Sequence, residues 1–144
     1  MGCWTLDGEA KNVHTPLKAI IEEYKNSATV LYSKGVVDCK SSQTTLFQEA
    51  LSIAKQADVI LFFAGEEATM SGEAHSRAFL DLPGKQQQLF DELVVLGKPI
   101  VSVIMAGRPL ALEKLCNESK AVLYAWHPGT MGGPAIANII SGKI

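Results

Sequence analysis

No stretch of this 144-residue sequence is apolar for long enough to span a membrane. Its longest such runs, Val59 to Gly65 and Pro99 to Gly107, fall far short of the roughly 20 residues a spanning helix needs. An excess of one charge is also missing: 13 Lys and Arg stand against 15 Asp and Glu, a net charge of -2, with no basic block anywhere. That argues against nucleic acid or an anionic membrane as partner. Cysteine is scarce and unpatterned. Cys3, Cys39 and Cys116 are odd in number and lack the CxxC spacing of a zinc or redox site, so buried, inert thiols are expected. The three histidines are too scattered for a metal motif, and neither a metal nor a cofactor is expected. Also missing are GxGxxG, GxxxxGK[ST] and a GxSxG elbow around Ser71. No basic n-region followed by an apolar h-region stands at the N-terminus, so no export signal is expected within these residues.

What is present is an apolar-rich chain, 47% hydrophobic and 19% charged, sized for one domain over residues 1–144. Asp58 to Ala64 and Pro99 to Met105 are nearly continuous apolar runs without alternation, ended by Gly65 and Gly107, as in parallel strands covered on both faces. Ala28 to Tyr32 and Ala121 to Trp126 are two further strand candidates. Helical patterns lie between them. Thr15-Pro16 opens one with Leu17, Ile20, Ile21 and Tyr24 on a face. Thr44 or Thr45 caps the next, striped by Phe47, Ala50, Leu51 and Ala54. Pro83 opens a third with Leu89, Leu93 and Leu96 inward and Gly97 at its end; Pro109 opens a short one to Cys116, and Pro134 the last. Strands alternating with helices imply right-handed βαβ crossovers. The expectation is an α/β fold: a three-layer αβα sandwich, flavodoxin-like, with a mostly parallel sheet of about four to five strands.

In open α/β sheets ligands bind beyond the carboxyl ends of the strands. The loop after the first long apolar run is the richest such place, holding Glu66, Glu67, Glu73, His75 and Arg77 between Gly65 and Leu82. One reading is a solvated charged loop, since surface loops are usually polar. The other is acid-base chemistry: a carboxyl desolvated by a covering surface suits a general acid, with Arg77 and His75 orienting it or a substrate hydroxyl. Arg108, at a strand end, either ties two loops together or binds a ligand. The Gly-rich turn from Trp126 to Pro134 leads into a helix N-terminus that can hold an anion or serve only as a turn. His127 is either a satisfied structural histidine or a ligand.

The order Ala57-Asp58-Val59 to Gly65-Glu66, Gly72-Glu73-Ala74-His75-Ser76-Arg77, Leu80 to Pro83, Gly97-Lys98-Pro99, Gly107-Arg108-Pro109-Leu110 and Trp126-His127-Pro128-Gly129 with Gly132-Gly133 resembles the C-terminal sandwich domain of glycoside hydrolase family 3. The likeness is to bacterial β-glucosidases of periplasmic type, and Met1-Gly2-Cys3-Trp4 looks like the loop after that domain's first strand. The resemblance implies a retaining β-glucosidase acting on terminal non-reducing β-D-glucosyl residues. A (β/α)8 barrel would supply the aspartate nucleophile and most of the glucose pocket. Glu73 falls where the family's acid/base glutamate is expected, with Glu66 as second choice, and His75, Arg77, Arg108 and His127 as orienting or substrate-binding residues. A periplasmic or extracellular location is implied in the same way.

No Asp here sits in a nucleophile motif like the family's, and a retaining site needs two carboxyl groups about 5 Å apart. The chain thus looks like a part of such an enzyme, inactive alone. The family's first strand would lie between the segments matching Thr29–Tyr32 and Val59–Ala64. Without it, those segments are expected to pair directly or to self-associate through the open edge. The rival from another class is a non-catalytic flavodoxin-like binding or interaction module, holding a phosphate at Gly129 to Gly133 or docking a protein.

Overall fold

A computed structural model describes Thr5 and residues 7–144, and the expected Met1–Trp4 loop lies outside the described residues. The described residues form two compact units: one from the N-terminal part up to Val30 together with His127–Ile144, the other from Leu31–Trp126.

The larger unit is built on a parallel sheet of three strands, β1 (Ile60–Gly65), β2 (Ile100–Met105) and β3 (Ala121–Tyr124), in the order β1-β2-β3. Ile60 lies opposite Ile100 and Gly65 opposite Met105, while Val101 to Ile104 face Ala121 to Tyr124. The α/β class and the parallel strands are as expected. The count is not: three strands form among the described residues, rather than four to five. Ala28–Tyr32 makes no ladder, and Leu31 and Tyr32 are exposed. A β-branched run becomes a strand only beside another strand's free N–H and C=O groups, and among the described residues it pairs with none. Its direct pairing with the β1 region, one of the two outcomes expected, is therefore not formed. Among the described residues β1 stands at the edge of the sheet, with β2 as its neighbour.

Beside this sheet lie α2 (Phe47–Gln56), α3 (Gln86–Val94) and α4 (Glu113–Glu118). Their inward residues fall at helical spacing, Phe47, Ala50 and Ala54 on α2 and Leu89, Phe90 and Leu93 on α3. With Leu115 of α4 they meet Ile60, Phe62, Ile100 and Ile104 in one apolar cluster, where the Phe62 and Phe90 rings stand 5.3 Å apart and tilted. Two helices begin later than their prolines suggest. α3 waits until Gln86 because Pro83-Gly84 forms a turn with Gly84 at φ 63°. α4 waits until Glu113 because Ala111 first donates to the Leu80 carbonyl at 2.8 Å. Likewise α2 has no side-chain cap from Thr44 or Thr45; the Thr44 carbonyl takes the Phe47 N–H instead.

In the smaller unit α1 (Pro16–Tyr24) packs on α5 (Gly132–Ser141). Thr15 caps α1 as expected, its hydroxyl accepting from the Lys18 N–H at 3.3 Å. Ile20 and Ala19 form its buried face, and Ile21, expected inward, is exposed because it lies 100° round the helix from Ile20. α5 begins two residues before Pro134. Gly133 lets it start against residues 14 and 15: its N–H donates to the His14 carbonyl at 3.1 Å, and a Cβ there would collide with the His14 and Thr15 carbonyls. Lys143, just past α5, pairs with Glu23 at 2.6 Å.

Candidate functional site

The chain leaves β1 at Gly65, whose φ of 143° and contact with the Met105 backbone admit no side chain. Its amide is clasped by the buried Gln86, whose Oε1 accepts the Gly65 N–H at 2.8 Å while Nε2 donates to the Gly65 carbonyl at 2.8 Å and to the Pro83 and Cys39 carbonyls at 3.1 Å. One side chain thus joins the two ends of the loop from Gly65 to Pro83.

Glu66 follows, its carboxylate fully buried. Arg77 Nη1 bonds Glu66 Oε1, and Arg108 Nε donates to Glu66 Oε2 at 3.3 Å. Both guanidiniums also hold backbone. Arg77 Nη2 donates to the Asp81 carbonyl at 3.0 Å; Arg108 Nη2 donates to the His75 carbonyl at 2.6 Å and to the Met70 carbonyl. The Arg108 carbonyl in turn accepts from the Tyr124 hydroxyl. Burial pushes the Tyr124 phenol above its ordinary value, and the Glu66 charge adds to the rise, so this group stays a donor at neutral pH.

Above this cluster, Gly72 to His75 form a turn closed by the His75 N–H on the Gly72 carbonyl at 3.2 Å, with Ala74 in the left-handed region at φ 61°. Glu73 and His75 are exposed at it, and their side chains make no hydrogen bond or ion pair among the described residues. Both Glu66 oxygens are thus occupied by guanidinium donors, whereas the Glu73 carboxyl faces solvent with its oxygens unengaged.

Of the residues picked from sequence, Glu66, Arg77 and Arg108 are thus brought together, and of the two readings of Arg108 the tie between loops is the one the geometry matches. Arg77 is engaged by Glu66 and Asp81. His127 is half-buried and belongs to the smaller unit. Tyr124 and Gln86 were not foreseen: the one sits in an ordinary strand, the other in an ordinary helical pattern, and neither type marks a site at that spacing. Trp126, at φ 55°, meets the Tyr124 ring at a tilt of 53° with ring centroids 4.8 Å apart.

The remaining candidates do less. Cys39 is half-buried, its thiol facing the Met70 sulfur at 3.7 Å and pushed up by burial, while Cys116 is exposed rather than buried because it falls on the outer face of the short α4. Among the described residues no group of His, Cys, Asp and Glu can hold a metal ion, and no helix is long and apolar enough to cross a membrane. In the Gly-rich turn, the N–H groups of Gly132, Gly133 and Ala135 are already bonded to the carbonyls of Gly129, His14 and Met131, and Pro134 has none. The first turn of α5 thus keeps little for a phosphate.

The family model described as the glycosyl hydrolase family 3 C-terminal domain matches residues 1–144. A periplasmic beta-glucosidase of Salmonella typhimurium is 36% identical over 99% of this chain and 21% of its own length. An exo-1,4-beta-xylosidase of Emericella nidulans is 40% identical over 72% of this chain and 13% of its own. Among solved structures, the beta-glucosidase from Listeria innocua in complex with isofagomine superposes with a TM-score of 0.90 at 30% identity, over 99% of this chain and 19% of that one. The chain thus spans a small part of the length of the relatives it matches.

Proposed function

The chain belongs to the glycosyl hydrolase family 3 C-terminal domain family, and from that premise we propose that it is the sandwich portion of a retaining β-glucosidase acting on terminal non-reducing β-D-glucosyl residues. In this reading Glu73 protonates the glycosidic oxygen and later activates water, while a barrel domain supplies the nucleophile and binds the glucoside. The observation that supports Glu73 over Glu66 is the contrast in their surroundings: Glu66 is buried and held by two arginines, whereas Glu73 stands exposed on a turn anchored from beneath. A covering domain would take the Glu73 carboxyl out of water with its oxygens still free for a glycosidic oxygen, which the twice-paired Glu66 does not offer. A periplasmic or extracellular location is proposed with it, after the name of the Salmonella relative.

The test uses the protein that contains this chain and aryl β-glucosides of graded leaving group. Glu73→Gln is expected to cut kcat by about 10²–10⁴-fold for a poor leaving group and far less for dinitrophenolate, which needs little proton assistance. Equal loss for both would sink the assignment, and faster turnover of the matching β-xyloside would redirect the sugar to xylose. The chain on its own, with one of the two carboxyls such a site needs, is expected to turn over neither.

A further inference from the structure

We propose that Arg108 is the positioning residue for Glu73, a role that rests on the acid/base reading above. The Glu73 side chain has no partner of its own among the described residues, so its direction is set by the turn that carries it. That turn spans Gly72 to His75, and Arg108 Nη2 bonds the carbonyls of Met70 and His75, one just before the turn and one at its end. A single nitrogen therefore closes the neck of the Glu73-bearing segment.

The guanidinium is itself held in place. Its Nε points to Glu66, which is fixed from the other side by Arg77, and Arg77 reaches on to the Asp81 carbonyl near the far end of the loop. The Arg108 backbone is tied to β3 through the Tyr124 hydroxyl. The path from the sheet to the exposed carboxyl thus runs Tyr124, Arg108, turn, Glu73. It needs an arginine: the planar fork directs Nε to the carboxylate and Nη2 to the two carbonyls at once, which one lysine ammonium at the end of a flexible stem does not reproduce. Left-handed Ala74, an unfavourable conformation for a residue with a Cβ, is where a loosened neck would relax first.

Arg108→Ala in the protein that contains this chain is expected to lower kcat for a poorly activated aryl glucoside by about 10–100-fold, the scale of an ångström-sized misplacement of a catalytic group. With the dinitrophenyl glucoside the loss stays within about threefold, because that step draws little on proton transfer. Added to Glu73→Gln, Arg108→Ala costs nothing further, since it acts through Glu73. As a readout independent of activity, and in case the alanine variant folds poorly, the His75 amide, which bonds the Gly72 carbonyl within this turn, exchanges hydrogen at least about tenfold faster in Arg108→Lys while the amides of β2 do not change. Equal loss for both leaving groups, a multiplicative effect in the double variant, or unchanged exchange at the His75 amide overturns the positioning role while leaving the acid/base reading intact. A leaving-group-independent loss in Glu73→Gln alone overturns both.

Discussion

The apolar cluster on one face of the sheet and the loop that rises from the end of β1 are ordered by opposite means. Phe62, Phe90, Ile100, Ile104 and Leu115 are held by removal of hydrocarbon from water, a force without direction that any well-shaped apolar neighbour supplies. The loop from Glu66 to Leu82 has little such material. Phe79 and Leu80 are exposed on it, and its shape comes from two guanidiniums, one carboxylate and one amide, each bonded to specific atoms. Non-directional packing tolerates substitution by volume, whereas a directional network fails atom by atom.

The largest expected effect falls on the packed side. Phe90 is fully buried, so Phe90→Ala removes a ring from the centre of the cluster and leaves a cavity; the expected loss is about 3–5 kcal/mol of global stability by denaturant titration. Exchange at the His75 amide, in the turn that the charged network holds, is expected to keep its ratio to exchange in the sheet. A selective opening of that turn in Phe90→Ala would show that the loop leans on the core after all.

A smaller effect, confined to the other side, is expected at Gln86. Gln86→Leu keeps the volume but leaves the Gly65 N–H and the Gly65, Pro83 and Cys39 carbonyls without their partner. Buried donors and acceptors stripped in this way cost about 1–3 kcal/mol. The loss should concentrate in the loop, with earlier proteolytic cleavage between Gly65 and Pro83 than in Phe90→Ala variants brought to equal stability. Uniform destabilisation of loop and sheet would erase the distinction between the two regions.

The same contrast decides what was legible in the sequence. Continuous apolar runs announce β1 and β2, and 3.6-residue periodicity announces α1, α2 and α3, because burial acts on neighbours a few residues apart. The Ala28–Tyr32 run carried the same local signal and is no strand, since a ladder depends on a partner that lies far away in sequence or outside it. Charged residues of the loop were visible as a group. Their pairing was not: Glu66 meets Arg77 and Arg108 from separations of 11 and 42 residues, and no period links them. Tyr124 and Gln86 gave no signal because a tyrosine in a strand and a glutamine in a helix are ordinary. The resemblance to a family pointed to Glu73 with Glu66 behind it, and the structure shows that their surroundings differ, one exposed and one buried between arginines.

The smallest effect tests whether charge pairing matters when it is exposed. Asp91 on α3 meets Lys114 on α4 at 2.9 Å and accepts from Gln87 at 2.8 Å, and both charged side chains are substantially solvent-exposed. Burial works to raise the Asp91 pKa, but the Lys114 and Gln87 hydrogen bonds outweigh it and hold the carboxyl below its ordinary value of 3.8. A carboxyl whose pKa is lowered by folding binds fewer protons folded than unfolded near that value. Its contribution is therefore present above the ordinary aspartate pKa and lost as pH falls through the lowered one. Solvent screening limits the pair to about 0.2–1 kcal/mol. Lys114→Met should thus lower stability at neutral pH by no more than that, shrink with added salt, and flatten the stability profile on the acid side of about pH 4. A loss comparable to that in Gln86→Leu, or one indifferent to salt, would mean that the α3–α4 contact is held by this pair rather than by the apolar residues beneath it.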